Sequence, residues 1–197
     1  MNDLNVNRAG GAEPREELRA KVNREELVER VARAVPSDGT TEPVKGLHLN
    51  GASSVTEPTH SVTHPSFCII AQGVKEILLG QERYRYDPYK YLLATVEMPA
   101  VSQLVEASPE GPYLSLRLDL DPALVASVMI EARIPSPRRD ACSVRAIAVS
   151  PLDASLVDAA VQLVRLLNGF TAAGAGRRQT NLASPLHGLT FWMRAAL

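Results

Sequence analysis

The sequence predicts a mainly β domain, an antiparallel barrel or sandwich with a helix before it and helices after it. Up to residue 120, short runs that favour strands recur at regular spacing, and turn residues separate them. Amphipathic helical patterns lie on both sides of this region. The chain has 197 residues, of which 45% are hydrophobic, so it is long enough for one domain with a substantial core.

The N-terminal part predicts a short leader followed by helix. Residues 1–13 are polar and charged and predict a disordered leader. Residues 14–35 carry apolar side chains at helix spacing. Asn23 followed by Glu26 fits a capping box, so the segment is either one helix or two short ones.

The predicted barrel occupies about residues 44–120. Gly80-Gln81 has glycine in the first position, as a type II′ hairpin turn requires, and Asp87-Pro88 forms a further turn. The expected strands are Phe67–Gln72, Lys75–Leu79, Glu82–Tyr86, Tyr91–Glu97, Ser102–Ala107 and Tyr113–Leu120.

The last of these strands, YLSLRLDL at 113–120, shows strict alternation. Its four leucines share one face, and Tyr113, Ser115, Arg117 and Asp119 share the other. We expect the leucine face to be core. The opposite face is expected to meet solvent, a partner or a covering helix.

Two helices are predicted after the barrel, at about 121–133 and 150–168, and the segment between them is expected to be irregular. Asp121-Pro122 and Ser150-Pro151 each read as a capping residue followed by proline in the first turn, with Asp153 placed for a capping box. The apolar stripe of the second helix is wide. It predicts burial on two sides, against the barrel and against a second copy of the chain.

Composition argues against several classes of protein. The net charge is −1, without the basic balance of a free-standing nucleic-acid binder. No apolar signal region opens the chain and no stretch is long enough to span a bilayer, so we expect a cytoplasmic protein without membrane contact. Cys68 and Cys142 are far apart in sequence and are expected to be reduced.

Catalytic and metal-binding patterns are weak. The chain has no His-x-His, Gly-x-Ser-x-Gly, Cys-x-x-Cys or glycine-rich phosphate loop. His60 and His64 would share a face of a helix and could bind zinc there. Their β-branched neighbours and the following proline favour an extended chain, in which they lie roughly 13 Å apart. We therefore expect no metal, no cofactor and no catalytic residue.

Polar and soft side chains on the strands are the candidates for contact with a ligand. We select Cys68, Gln72, Tyr91, Gln103 and Arg117. Gln72 is equally a turn residue, and Arg117 is equally a surface charge. Because a slip of one residue reverses the faces of a strand, inward positions cannot be assigned from the sequence.

Several short motifs resemble one known family. They are Gln72-Gly73, Leu79-Gly80, Tyr84-x-Tyr86-Asp87, Glu106-Ala107-Ser108-Pro109, Leu116-Arg117-Leu118-Asp119 and Ser150-Pro151-Leu152-Asp153. Together they resemble the N-terminal domain of AraC-type transcriptional regulators, from about Leu27 to Leu167. The resemblance implies a cupin-like barrel at 14–170 whose role is effector sensing and dimerisation.

The sequence departs from this family at two places. After Asp87-Pro88 relatives carry glycine, whereas this chain has Tyr89-Lys90, for which a left-handed turn would be costly. The tail at 171–197 is atypical, with one expected helix at 185–197, and it is too short for the family's two helix-turn-helix motifs.

The resulting expectation is a non-enzymatic effector-binding and dimerisation domain, truncated before its DNA-binding part and without direct DNA binding. Its partners would be an unidentified small molecule and a second copy bound through helix 150–168. Two alternatives remain open, a small cupin-type enzyme with a metal and a purely structural dimer module.

Overall fold

Two antiparallel sheets face each other in the computed structural model, which describes residues 13–131, 133 and 145–171. The elements in chain order are α1 (Glu13–Ala34), β1 (Gly39–Val44), β2 (Leu47–Ala52), β3 (Thr59–Thr63), β4 (Ser66–Gln72), β5 (Val74–Leu79), β6 (Glu82–Tyr86), β7 (Lys90–Ala94), β8 (Met98–Glu106), β9 (Tyr113–Asp119), α2 (Pro122–Glu131), β10 (Ile147–Pro151) and α3 (Ala154–Thr171). The expected leader and the expected tail helix at 185–197 lie outside the described residues. The predicted mainly β architecture with flanking helices is confirmed.

The molecule has three layers. The larger sheet has the strand order β1-β2-β9-β4-β7-β10, and the smaller sheet has the order β3-β8-β5-β6. Helices α1 and α3 share one hydrophobic cluster with alternate residues of β2, β4 and β9. A second cluster lies between the two sheets. The larger sheet is therefore the middle layer, with helices on one face and the smaller sheet on the other.

Helix α1 is continuous from Glu13 to Ala34, so the alternative of two short helices is wrong. Asn23 does not cap a helix. Its buried side chain donates from Nδ2 to Oδ1 of Asp158 in α3 at 3.1 Å. The hydrogen bond ties the two helices together, and it explains why a polar residue is tolerated in a buried position.

A second polar link between α1 and α3 joins Glu26 to Arg165. The guanidinium donates twice, from Nε to Oε1 at 2.8 Å and from Nη2 to Oε2 at 2.5 Å. Arg30 donates from Nε to the same Oε1 at 2.6 Å. The hydrogen bond from Arg165, aided by that from Arg30 and opposed by burial, lowers the pKa of Glu26 to about 2. Such bidentate, charge-assisted contacts also fix the geometry of the helix pair.

The predicted start of the last helix at Ser150-Pro151 is wrong. Both residues belong to β10, which pairs with β7 and places Pro151 opposite Lys90. Proline is tolerated there because β10 is an edge strand. Helix α3 begins at Ala154, and Asp153 caps it by accepting from the Leu156 amide at 2.9 Å. The strand was missed because its pairing partner is distant in sequence.

The turns at Gly80-Gln81 and Asp87-Pro88 differ in whether they require a residue with positive φ. Gly80 has φ of 60°, as the first position of a type II′ turn requires, and Leu79 pairs with Glu82 across it. The turn after Asp87 needs no left-handed residue. Lys90 donates its amide to the Asp87 carbonyl at 3.0 Å, and Tyr89 donates to Asp87 Oδ1 at 2.9 Å. The departure from glycine at Tyr89 therefore causes no backbone strain.

Gly73 carries the chain from the larger sheet to the smaller one under tight constraint. Its φ is 86°, and a Cβ atom there would lie 2.5 Å from the Glu106 carbonyl oxygen and 3.1 Å from the Tyr113 Cα. Both neighbours are backbone atoms of paired strands, which cannot move away cheaply. Only glycine satisfies both requirements.

We expect Gly73→Ala to lower the free energy of unfolding by about 2–4 kcal/mol, because a steric clash adds to the backbone cost. Gly80→Ala is the matched control, since its φ is also positive but its Cβ would meet open space. It should lose only the backbone cost of about 1–2 kcal/mol. Urea unfolding of both variants measures the difference, and equal losses would contradict the crowding at Gly73.

We expect Glu26→Gln to destabilise the protein at neutral pH and to change how its stability depends on acid. The pKa of Glu26 is about 2 in the folded chain against an ordinary value of 4.5, so its contribution is full above pH 4.5 and is lost as the pH falls toward 2. Urea midpoints should therefore show a gap between wild type and variant that narrows from about pH 6 to about pH 3. The control is Glu29→Gln, whose partner Arg33 lies on the same exposed helix face. A gap that stays constant with pH would refute this role of Glu26.

Candidate functional site

A cavity of about 380 Å³ lies between the two sheets. Buried Tyr86, Tyr113 and Ser115 form its floor, whereas its rim consists of exposed residues. These rim residues are Gly39, Thr40, Thr56 and Thr59. Because β1 and β3 are the edge strands of their sheets, the cavity opens to solvent between these edges.

Two rows of paired residues form the wall on the larger sheet. In one row Arg117 is paired with Cys68, and both line the cavity, whereas His48 on the other side of Arg117 does not. In the other row Ser115 is paired with Asn50, which in turn is paired with Thr40. Asn50 donates from Nδ2 to the Ser115 Oγ at 3.2 Å and accepts from the Thr40 hydroxyl at 2.8 Å. The second row is thus an ordered ladder of hydrogen-bonding groups that borders the cavity.

The wall on the smaller sheet is centred on Lys75. Its strand neighbours are Leu104 of β8 and Tyr86 of β6, and all three line the cavity. Ser102 lies two residues before Leu104 on the same face and also lines it. Lys75 is therefore a cation flanked by an apolar and an aromatic side chain, facing the larger sheet.

The two faces of β9 are both inside the protein, one under the helices and one at the cavity. Leu114, Leu116 and Leu118 pack under the helices, as predicted for a core face. The opposite face was expected to meet solvent, a partner or a helix, and this is wrong for Tyr113, Ser115 and Arg117. These three line the cavity inside the barrel. The reason is that the larger sheet is a middle layer, so both of its faces are covered.

Charge in the cavity has one sign. Among the described residues that line it, Lys75 and Arg117 are positively charged and none is a carboxylate. Burial, together with the positive charge of Arg117, lowers the pKa of the Lys75 ammonium, and Cys68 opposes this change. Burial raises the pKa of the Cys68 thiol, and Lys75 opposes that change in turn. The thiol is therefore neutral at neutral pH and lies in the field of two cations.

Asp119 is the nearest acidic partner of Arg117, but it is shared. His48 Nε2 lies 2.9 Å from Asp119 Oδ2, and Arg117 Nε lies 3.1 Å from Asp119 Oδ1. Both atoms of the second pair are buried and neither has a hydrogen-bond partner. Their approach is therefore an ion pair without the alignment of a hydrogen bond. Asp119 thus neutralises part of the local charge and leaves the hydrogen-bonding capacity of Arg117 unfilled.

The two tyrosines on the floor are neutral hydrogen-bonding groups. Burial raises the pKa of Tyr86 well above its usual value, and burial likewise raises the pKa of Tyr113. Their hydroxyls interact with each other, and Ser115 interacts with that of Tyr113. The floor therefore offers polar contact without further charge.

The structure brings two of the five selected residues to the cavity, Cys68 and Arg117. Tyr91 lies on the helix side, where its ring stacks on Phe67 with centroids 4.9 Å apart. Gln103 points away because it alternates with Ser102 and Leu104 in β8. Gln72 follows a β-bulge at the end of β4 and lies against Gly111.

The sequence reasoning missed most of the cavity wall. The residues it omitted include Asn50, Lys75, Tyr86, Ser102, Tyr113 and Ser115. Lys75 left a usable signal, because it alternates with Ile77 and Leu79 in β5 and so shares their inward face.

The two histidines that could have shared a helix face lie on extended chain or beyond it. His60 lies in strand β3, and His64 follows it with Nδ1 3.6 Å from Glu97 Oε1. Within residues 13–131, 133 and 145–171, no cluster of three or more His, Cys, Asp or Glu side chains is arranged to hold a metal ion. None of the helices in this part of the chain has the length and apolar character needed to cross a membrane.

Comparison with known families identifies the chain. The family model of the AraC-type transcriptional regulator N-terminus matches residues 43–174, which is more than half of the sequence. The chain therefore belongs to this family, as its motifs suggested. No curated protein matches the sequence.

Solved structures are similar to the chain at low sequence identity. An apo lysine-to-alanine variant of ToxT from Vibrio cholerae shares 8% identity over 79% of this chain and 56% of that chain, with a TM-score of 0.51. ToxT from the same species, bound to (E)-4-(8-methylnaphthalen-1-yl)but-3-enoic acid, shares 13% identity over 77% and 56%, with a TM-score of 0.46. The AraC-like transcriptional activator CuxR shares 11% identity over 79% and 53%, with a TM-score of 0.43. The chain thus spans little more than half the length of these proteins, and the first of them supports the cupin-like fold.

Proposed function

We propose that this chain is the effector-sensing domain of an AraC-type regulator and that the cavity between its sheets binds the effector. The observation that carries the proposal is the cavity itself. At about 380 Å³ it falls in the size range of small-molecule sites, and it presents polar groups from both walls. A purely structural barrel would instead fill this space with side chains.

The role proposed is binding and not catalysis, and the family's place in transcription regulation supports it. A regulator of this kind is expected to act in the cytoplasm. The effector would be held by the hydrogen-bonding ladder of the larger sheet and by Lys75 of the smaller one.

Signal transmission would pass through the middle layer. In β9, Arg117 faces the cavity while its neighbours Leu116 and Leu118 pack against the cluster of α1 and α3. A ligand that contacts Arg117 differently in two arrangements of β9 would therefore also bias the helices. This short path is the basis for coupling between effector and helix layer.

We expect Ser102→Ile to abolish effector binding, because a larger side chain would occupy the cavity. The assay is a thermal-shift screen of sugars, short acids and aromatic metabolites, in which a binder raises Tm by mass action. Gln103→Ile is the matched control, since it places the same side chain on the opposite face of the same strand. Compounds that raise Tm for wild type should also do so for Gln103→Ile and should fail with Ser102→Ile. A shift that Ser102→Ile retains would place the binding site elsewhere.

Dimerisation through α3 is part of the proposal. The stripe predicted to face a second copy is mostly buried within its own chain, in the cluster shared with α1. Leu166 is the exception, with 50% exposure, and Leu18 and Val22 of α1 are also exposed. These side chains leave an apolar surface on the helix pair that a second copy would cover.

We expect Leu166→Glu to convert the dimer to monomer, because it puts a charge into the proposed interface. Leu78→Glu is the control, since Leu78 is an exposed leucine on the smaller sheet, far from the helix layer. Sedimentation velocity over a range of concentrations measures the mass of each variant. A wild-type chain that remains monomeric at all concentrations would refute dimerisation through α3.

A further inference from the structure

Two cations enter the cavity from opposite walls. Lys75 comes from β5 of the smaller sheet and Arg117 from β9 of the larger sheet. Both side chains line the same cavity, and the charge of Arg117 disfavours the protonated form of Lys75. Like charges that face each other across a partly dehydrated space repel, so a negative group between them would be favourable for both.

The surroundings of Lys75 do not compensate for its charge. Its neighbours across the sheet are Leu104 and Tyr86, and the interactions that act on its ammonium come from burial, Cys68 and Arg117. Within the described residues no carboxylate forms an ion pair with it. A partly buried ammonium is normally paired, so an unpaired one that lines a cavity indicates a partner from outside the chain.

Arg117 is only partly compensated. Its Nε lies near Asp119, but the two atoms do not form a hydrogen bond, and Asp119 is also engaged by His48. The guanidinium carries five N–H donors in a planar fork that matches a carboxylate or phosphate. In the described part of the chain these donors make no hydrogen bond to the cavity wall.

We infer that the effector is a small organic anion whose negative group lies between Lys75 and Arg117, with polar substituents on the ladder of Asn50 and Ser115. This inference rests on the proposed function and specifies the chemical class of the ligand. The cavity has room for about a dozen water molecules at about 30 Å³ each, which limits the ligand to a compact molecule. A carboxylate and a phosphate ester share the required oxygen chemistry.

Cys68 provides a probe that needs no knowledge of the effector. It lines the cavity beside Arg117, and the charges of Lys75 and Arg117 both act on its thiol. In a Cys142→Ser background it is the remaining cysteine of the chain. Iodoacetate and iodoacetamide alkylate the same thiolate, but only iodoacetate is an anion. The ratio of their rate constants therefore reports the electrostatic potential at Cys68, and the pKa of the thiol cancels from it.

We expect the iodoacetate-to-iodoacetamide ratio to be about tenfold higher in the folded protein than in the urea-unfolded chain, because two nearby cations favour the anion. Lys75→Met and Arg117→Met should each lower this ratio toward the unfolded value, whereas Lys75→Arg should retain it. Arg83→Met is the control for net charge, since Arg83 is exposed and pairs with Glu76 on the outer face of the smaller sheet.

The outcomes separate this inference from the proposed function. If iodoacetamide labels Cys68 in the folded protein but the ratio equals that of the unfolded chain, the cavity admits small molecules and the anion inference is overturned. If neither reagent labels Cys68 until the protein unfolds, the cavity is closed to ligands and both proposals fail. A raised ratio that survives Lys75→Met and Arg117→Met would also overturn the assignment of these residues.

Binding of uncharged and charged probes completes the test. Wild type and Lys75→Met are compared by calorimetry against hydroxy acids, aromatic acids, their primary amides and phosphate monoesters. We expect acids or phosphate monoesters to bind, with at least a tenfold loss in Lys75→Met, and we expect the amides not to bind. The two anionic arms distinguish a carboxylate from a phosphate effector, and binding confined to the amides would overturn the inference.

A stability measurement excludes a merely structural role for Lys75. Because no carboxylate of the described residues pairs with its charge, Lys75→Met should unfold at the same temperature as wild type or higher when no effector is added. A fall of several degrees in Tm would mean that Lys75 holds the fold together, and it would overturn the assignment.

Discussion

Burial of one face of the larger sheet beneath α1 and α3 is the interaction on which the rest of the structure depends. Alternate residues of β4 and β9 enter this cluster together with the inner faces of both helices. The bidentate contact between Glu26 and Arg165 orients the helix pair from outside the cluster. Since each large buried aliphatic side chain contributes roughly 1.5–3 kcal/mol, this layer supplies a major part of the folding free energy.

The helix layer removes the requirement that the opposite face of the larger sheet be apolar. With the leucines of β9 already buried, the opposite face need not be apolar to hold the barrel together. It carries Tyr113, Ser115 and Arg117 toward the smaller sheet. Away from the cavity the two sheets are still joined by the second apolar cluster, to which Ile70 of the larger sheet and Ile77 of the smaller sheet belong. The open end contains a polar cavity, and its cationic groups are not fully satisfied by the residues that the structure describes.

Local chemistry explains which parts of the fold were predictable. The turns at Gly80-Gln81 and Asp87-Pro88 depend only on the backbone conformation of residues adjacent in the chain. Both turns form where the sequence predicts them. The strands around them were located for the same reason. Ser150-Pro151 led to a wrong helix start because a capping residue followed by proline is compatible both with the end of an edge strand and with the first turn of a helix. The pairing of β10 with β7 decides between these readings, and it depends on residues far away in the chain.

The sequence by itself determined the β architecture, the family and the alternation of side chains in β9, because each depends on residues adjacent in the chain. Only the tertiary structure decided which face looks into the barrel. Tyr91 and Gln103 were as plausible as Cys68 and Arg117 until the strands were paired, since a step of one residue exchanges the two faces. The placement of Lys75 and Arg117 in one cavity was likewise decided by the packing of two sheets, because a charge in one strand carries no information about the residues of the opposite sheet.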